Sequence, residues 1–198
     1  MSIVSASVLK EYLPEIQGSS LDADLSSLIA RVESYIARYL GFPLADAGTS
    51  YTLDQATYTL YVDAPMFELS YVMQIPIKPA VSITSIHSDV DREYGSNTLL
   101  DSAKYTLDKQ NGRVMLNDDS TDSFDEGYQA TKIIGSFGFV TAPSDLVHAI
   151  CVYCSHLQRA KSSQGNQSIA QRNSTVSLSP RTMPIEVKEI LRDYRNVS

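Results

Sequence analysis

The sequence is short of cysteine and has no long apolar run, and each shortage excludes a class of protein. Its two cysteines, Cys151 and Cys154, are too few and too close together for a disulfide framework, which indicates a reduced cytoplasm. No stretch approaches the run of about 18 apolar residues that crosses a bilayer. The N-terminus has neither the basic flank nor the apolar core of a secretion signal. We therefore expect a chain with no membrane partner that folds where it is made.

What the sequence does contain is an uneven distribution of charge. The net charge of −7 divides into an acidic body and a basic tail. Residues 1–158 carry 9 Lys and Arg against 20 Asp and Glu, a balance of −11, whereas residues 159–198 carry 7 against 3, a balance of +4. Because affinity for nucleic acid comes from cations that displace counterions from phosphates, an acidic body argues against nucleic acid as the main partner. The tail fits either an acidic protein surface or a solvated segment.

Two long amphipathic helices, preceded by a short one, predict a small helical bundle. A short helix from Ser5 or Ser7 to Leu13 precedes a longer one, for which Ser20 is the candidate N-cap and Gly41 the C′ residue. The closing helix begins at Pro143 and runs to about Lys161. The apolar stripes of the two longer helices follow the i, i+3, i+4, i+7 pattern. We predict that the bundle core consists of Leu25, Leu28, Ile29, Val32, Ile36, Leu146, Ile150, Tyr153 and Leu157.

Between these helices the pattern changes to short strands with a period of two. The clearest pair is Lys104–Asp108 and Arg113–Leu116, where the step Asn111-Gly112 supplies the positive φ angles of a hairpin turn. A strand from Thr131 to Val140 contains Gly135 and Gly138, a pattern that predicts a bulge or a close approach of backbones. We predict an antiparallel β module over residues 49–140.

Beyond the closing helix, Ser162–Ser179 is rich in Ser, Gln and Asn and predicts a linker or a loop that orders on contact. A short amphipathic helix follows, Pro184–Tyr194, whose apolar stripe needs a partner surface because so short a helix is marginal alone. The stripe could pack back on its own domain. Its separation by a polar linker favours instead an arm that reaches a neighbour.

Candidate chemistry is sparse. His148, Cys151, Cys154 and His156 could suggest zinc, but at about 100° per residue Cys154 and His156 point roughly 160° apart, so one helix cannot close a tetrahedral site. A Cys–His nucleophile pair would need a lowered thiol pKa, whereas an apolar stripe raises it. The acidic loop Asn117–Glu126 lacks the EF-hand positions for calcium. No P-loop is present. We predict no catalytic residue, no cofactor and no metal site, and expect the cysteines to pack in the core.

The order of these segments resembles the head–tail connector (adaptor) proteins of tailed bacteriophages, and the similarity spans nearly the whole chain. The matching segments are Asp22–Ile36 ending at Leu40-Gly41, Ile75–Ile86, Tyr105–Asp108, Arg113–Leu116, Gly135–Val140, Pro143–Leu146 and Met183–Arg195.

The resemblance implies a virion protein of the head–tail neck, in a ring of typically twelve copies beneath the portal protein. The β module would face the next neck or tail component, and the C-terminal arm would reach the portal. DNA would pass through the ring without specific binding, which suits an acidic lumen. The portal-docking residues of the arm would be Pro184, Val187, Ile190, Leu191, Tyr194 and Arg195.

The sequence thus predicts an α+β fold, a small helical bundle with an inserted antiparallel β module and a C-terminal arm ending in a short helix. Its parts are residues 1–48 (N-terminal helices), 49–140 (β module), 141–162 (closing helix) and 163–198 (linker and arm). We expect a structural adaptor and no enzyme, and we expect deletion of residues 176–198 to abolish partner attachment while the body stays folded. The alternatives are another neck protein such as a stopper, or a metal-dependent enzyme using Cys151, Cys154 and His148.

Overall fold

The computed structural model describes residues 2–64, 71–109, 111–117, 123–161, 168–171, 174–177 and 182–196, with the backbone alone for Ala64, 168–171 and 174–177. Its helices and strands confirm the α+β class. In chain order they are α1 (Ala6–Glu11), α2 (Asp22–Tyr39), β1 (Ala56–Ala64), β2 (Val72–Gln74), β3 (Ala80–Ser88), β4 (Tyr105–Asp108), β5 (Arg113–Leu116), β6 (Gly127–Phe137), α3 (Ser144–Ala160), β7 (Ser168–Gln171), β8 (Ser174–Ser177) and α4 (Ile185–Arg192).

The chain divides into two compact units. The helical unit consists of Met1–Ile36 with Ala142–Arg195, and the sheet unit consists of Ala37–Thr141 with Asn196–Ser198. No helix in the described part of the chain is long and apolar enough to cross a membrane.

Local sequence explains how the helices of the helical unit start. The Ser5 hydroxyl accepts a hydrogen bond from the Val8 amide at 3.4 Å and caps α1. α2 begins at Asp22, two residues after the predicted cap Ser20, and its first turn carries two acids that suit the positive end of the helix dipole. Pro143 precedes α3 and Pro184 precedes α4, as the sequence predicts.

The helical unit encloses one apolar core between its helices. α3 contacts both α1 and α4, and the rings of Tyr35 on α2 and Tyr153 on α3 lie 6.0 Å apart. The segment predicted as a linker differs from expectation, because β7 and β8 pair antiparallel from Ser168 opposite Ser177 to Gln171 opposite Ser174. The hairpin forms through backbone hydrogen bonds, which polar residues make as readily as apolar ones.

The sheet unit contains two three-stranded antiparallel sheets, in the orders β1-β6-β3 and β2-β5-β4. The predicted hairpin is β4–β5, with Tyr105 opposite Leu116. At this turn Gly112 has the predicted positive φ, at 63°. Strand β2 pairs with β5 and was missed by the sequence pattern.

Both glycines of the predicted glycine-containing strand mark close approaches of backbones. A Cβ on Gly135 would lie 2.7 Å from the Ser82 carbonyl oxygen of β3, where the β3–β6 register also shifts. A Cβ on Gly138 would lie 2.5 Å from the Asp54 carbonyl oxygen, and the φ of Gly138 is +107°. The strand itself, β6, starts at Gly127 and ends at Phe137, earlier at both ends than predicted.

Candidate assembly surfaces

The predicted bundle-core residues lie mainly inside the helical unit. Leu28 and Leu157 are only partly buried, and they line a groove of about 290 Å³ between α2 and α3 whose rim includes Arg31 and Lys161. The remaining members are buried, with relative exposures of 7% or less: Leu25, Ile29, Val32, Ile36, Leu146, Ile150 and Tyr153.

α4 is seated on α3 of its own chain. Its residues Val187 and Leu191 are fully buried, and Met183 just before the helix is 5% exposed. The two buried side chains are one turn apart, so they form the inward stripe of the helix. Of the alternatives for this stripe, the structure has the one in which it packs back on its own domain.

Polar contacts hold both ends of α4. The Tyr194 hydroxyl donates to the Asp145 carboxylate at 2.6 and 2.7 Å, and burial followed by this hydrogen bond raises the pKa of Tyr194 to about 12. At the other end, Glu186 lies 3.6 Å from His148 Nε2, and His148 Nδ1 is hydrogen-bonded to the Tyr12 hydroxyl at 2.9 Å. These contacts fix α4 against the start of α3.

The predicted docking residues are therefore divided by the structure. Val187 and Leu191 are covered by their own chain, whereas Arg195 is exposed. Pro184, Ile190 and Tyr194 are partly exposed. Because the deletion of residues 176–198 would uncover the apolar face of α3, single substitutions on the exposed side of the arm are a cleaner test of docking than that deletion.

The cysteines lie in the core, where the sequence predicts them. Cys151 and Cys154 are both fully buried. Burial raises the pKa of the Cys151 thiol to about 11 and that of Cys154 to about 12, so neither thiol is a thiolate near neutral pH. Among the described residues, no three His, Cys, Asp or Glu side chains are grouped closely enough to hold a metal ion.

Part of the predicted acidic loop lies outside the described residues, namely Asp118, Asp119 and Asp122. Of its remaining acids, Asp125 has a structural contact. The Ser88 hydroxyl at the end of β3 accepts from the Asp125 amide at 2.8 Å and donates to its carboxylate at 3.1 Å. This carboxylate therefore ties the loop to the sheet.

The sheet unit exposes a tyrosine cluster that the sequence pattern missed. It consists of Tyr61 on β1, Tyr128 and Lys132 on β6, and Tyr94 in the loop after β3. The rings of Tyr61 and Tyr94 lie 5.5 Å apart, and Lys132 Nζ lies 5.5 Å from the Tyr94 ring centroid. Tyr61 is 48% exposed and Tyr128 is 67% exposed. Exposed tyrosines are typical of protein interfaces, so this cluster is a second candidate surface.

Solved structures define the class of fold to which this architecture belongs. The chain is similar to a chain from the neck of an empty GTA particle computed with C6 symmetry, at 16% identity and a TM-score of 0.54, over 89% of this chain and 80% of that one. It is also similar to a chain from the neck of a native GTA particle computed with C12 symmetry, at 15% identity and a TM-score of 0.54, over 97% and 88%. At these identities the likeness concerns the fold, which is one found in particle necks.

The family follows from the sequence itself. Residues 2–197 match the model of the head completion protein family, so the chain belongs to that family. The match confirms the resemblance to head–tail connector proteins on which the sequence prediction depends. No curated protein matches the chain.

Proposed function

We propose that this chain is a structural adaptor that forms a ring between the portal protein and the tail or neck of a tailed phage or phage-like particle. The observation that carries the proposal is the match of the head completion family across residues 2–197. The family is named for head completion, which supports a role at the junction between the head and the components that follow it.

The symmetry of the similar necks supports a ring of copies. One was computed with C6 and the other with C12 symmetry, and identical chains that associate head to tail form a closed ring where the rotation between neighbours closes. We expect twelve copies of this chain in the ring, and the alternative copy number to be tested is six. The protein's working location is then the virion.

The two candidate surfaces are assigned to different partners. The exposed side of the arm, including Ile190 and Arg195, contacts the portal protein, while α4 keeps Val187 and Leu191 against α3. The sheet unit contacts the next neck or tail component. DNA passes through the ring, and the acidic body of balance −11 over residues 1–158 repels it instead of holding it.

The raised pKa values of both thiols argue against a nucleophilic or metal-binding cysteine, since such a cysteine must ionise. The match to a family named for head completion supports a structural role.

The mass of the purified protein, alone and then mixed with isolated portal, tests the proposal. We expect a monomer that adds to the portal in about twelve copies, as the C12 neck suggests. The variants Ile190→Glu and Arg195→Glu should bind portal more weakly, whereas Arg31→Glu, an exposed charge reversal on α2 instead of the arm, serves as the control. A closed oligomer that ignores portal contradicts the adaptor assignment.

The alternative is another neck protein, such as a stopper, because the similar structures are named only as necks. A stopper would leave isolated portal unbound and would bind only to heads that already carry an adaptor ring. The same mass measurement, repeated with those heads, separates the two roles.

A further inference from the structure

The exposed side of α4 carries its charges on separate flanks. At about 100° per residue, Lys188 and Arg192 lie roughly 40° apart, and both lie roughly 160° from Ile190. Both cations are exposed. The acids of this segment lie on the flank beside them: Glu186, Glu189 and Asp193. α4 therefore has a cationic flank, formed by Lys188 and Arg192, that is distinct from the Ile190 side assigned to the portal.

The cationic flank has little to bind within its own chain. Among the described residues Lys188 has no ion pair, and Arg192 has only Asp193, at 3.9 Å, with the two side chains 80% and 81% exposed. An ion pair so exposed contributes little to stability. By contrast, Arg159 on α3 pairs with Glu15 at 3.0 Å. The flank is therefore open to the acids of another molecule.

Acidic side chains gather at one end of the β1-β6-β3 sheet, which we call the acidic sheet end. None of its acids has an ion pair among the described residues. Only two cations lie among them, and one of these, Lys132, has its Nζ over the ring of Tyr94. The acidic side chains of this end are Asp63, Asp91, Glu93, Asp125 and Glu126, and the second cation is Arg92.

Asp89 holds the loop that presents part of this acidic end. It is 8% exposed, and its carboxylate accepts hydrogen bonds from the amides of Asp91, Glu93 and Tyr94 at 2.9, 3.0 and 2.8 Å. Its own amide donates to the Ala130 carbonyl of β6 at 2.8 Å. A buried carboxylate with three amide donors fixes the loop in one conformation, and a fixed loop loses little entropy when a partner binds.

The backbone at this end is held in unfavourable conformations. Arg92, Tyr94 and Gln129 have φ angles of 61°, 51° and 52°, and such conformations persist only where surrounding contacts impose them. The Tyr94 hydroxyl donates to the Gln129 carbonyl at 2.5 Å, and the Gln129 amide donates to the Asp63 carboxylate at 2.8 Å. These contacts join the loop to both neighbouring strands, so the acidic sheet end is a rigid surface.

Exposed aromatic rings lie among these acids. Tyr61 is 48% exposed and Tyr128 is 67% exposed. A lysine or arginine side chain that approaches this end would meet carboxylates and the faces of aromatic rings together, and both attract a cation. The chemistry of the acidic sheet end therefore complements that of the cationic flank.

A ring of identical chains selects a second copy as the molecule that brings the two surfaces together. Each interface in such a ring is heterologous, so one chain must present both halves of the contact. This chain divides its charge in that way, with a balance of −11 over residues 1–158 and +4 over residues 159–198. Opposite charges across an interface fix its register and suppress wrong pairings.

We propose that the cationic flank of α4 in one copy docks on the acidic sheet end of the neighbouring copy, and that this contact joins the copies of the ring. The inference rests on the proposed function, since it names the two surfaces through which the ring closes. The tyrosine cluster then faces the neighbouring copy, and the remaining surface of the sheet unit contacts the next neck or tail component.

Carbodiimide crosslinking of assembled particles tests the contact where the ring exists. This reagent joins a lysine to a carboxylate only when the two are in direct contact. We expect a product of two chains in which Lys188 is joined to Glu93 or Glu126. Particles that carry Lys188→Gln should lack this product, whereas Lys109→Gln, a change of an exposed lysine on the sheet unit, should retain it. Absence of the linkage in wild-type particles, or its formation within a single chain, overturns the inference.

Charge reversal tests whether the two surfaces meet between copies. One variant carries Lys188→Glu with Arg192→Glu, and the other carries Glu93→Lys with Glu126→Lys. Each variant alone places like charges at every interface. An equimolar mixture restores every interface, because in an alternating ring each reversed flank meets a reversed sheet end. Arg31→Glu, an exposed charge reversal on α2, is the control.

Mass photometry of isolated portal with limiting protein measures how cooperatively the copies add. Wild type and the control should give portals that are either bare or full. Each reversed variant should give intermediate copy numbers and need about tenfold more protein for half occupancy, and the mixture should behave as the wild type. Wild-type behaviour of both reversed variants, or no rescue in the mixture, refutes the inference.

The two experiments separate the inference from the proposed function. If the wild-type protein does not add to isolated portal, the adaptor assignment fails, and crosslinking in particles still decides the contact between copies. If it adds and the reversed variants behave as the wild type, only the contact between copies fails.

Discussion

At the scale of single residues, burial controls the chemistry of the two thiols in the helical unit. Cys151 and Cys154 lie on α3 with no exposed surface. Desolvation, the largest cause, disfavours the thiolate and raises the pKa values to about 11 and about 12, from an ordinary value of 9.0. The unfolded chain therefore releases these two protons at a lower pH than the folded chain does.

Two results follow for the thiols. Near pH 8 the native protein should react with neither equivalent of a thiol reagent such as dithionitrobenzoate, and both should react after denaturation in urea. Because the folded pKa values are the higher ones, the contribution to stability is complete below about pH 9 and is lost as pH rises toward the folded values. The variant Cys151→Ala, Cys154→Ala should show a shallower alkaline loss of stability. Rapid labelling of the native protein would contradict the burial.

Gly138 is the residue whose substitution should damage the sheet unit most directly. An added Cβ would lie 2.5 Å from the Asp54 carbonyl oxygen, a backbone atom that cannot turn aside, and the φ of +107° adds strain. Gly138→Ala should lower the free energy of unfolding by about 3 kcal/mol. Gly18→Ala is the matched control, because Gly18 also has a positive φ, +75°, but nothing lies within 4 Å of the added Cβ. It should cost about 1 kcal/mol in urea denaturation, and equal costs would exclude the clash as the cause.

At the scale of elements, the strength of the periodic pattern decided which helices and strands could be predicted. α2 and α3 have long stripes with clear ends, at Gly41 and Pro143, and both were predicted nearly to the residue. β2 has three residues, too few for a period of two to register. β7 and β8 fall in a Ser-rich stretch whose pairing depends on the backbone, so composition predicted a linker instead.

α4 demonstrates what a stripe cannot reveal, namely the surface that it contacts. Leu191→Ala should weaken the packing of α4 on α3, because replacing a fully buried leucine by alanine costs about 2–5 kcal/mol of stability. A helix of eight residues is marginal without its partner surface. We expect faster amide hydrogen exchange throughout α4, with the sheet unit unchanged. Ile185→Ala, at a position 75% exposed, should leave exchange as in the wild type. Unchanged exchange in Leu191→Ala would indicate that α4 is not held by α3.

At the scale of the whole molecule, the limits of sequence prediction are clearest in the tyrosine cluster. Its members come from β1, β6 and the loop after β3, and the pairing of Tyr61 with Lys132 brings the two strands together. Strand register depends on pairing between segments far apart in the chain, and this pairing cannot be predicted from the pattern of a single sequence. The only sequence pattern that points to the cluster is weak. It consists of aromatic residues at outward positions of strands whose alternate residues are apolar.

The division of charge along the chain gives the last prediction, which concerns DNA. If the acidic body, of balance −11 over residues 1–158, dominates the field of the protein, the full chain should bind duplex DNA more weakly than the about 10⁻⁴ M typical of the weakest nonspecific binders. A peptide of residues 159–198, of balance +4, should bind the same duplex at low salt and release it as salt rises, because its affinity comes from displaced counterions. Fluorescence anisotropy measures both. Salt-dependent binding of the full chain would mean that the basic tail binds DNA independently of the body. The hypothesis that the acidic ring repels the DNA passing through it would then be wrong.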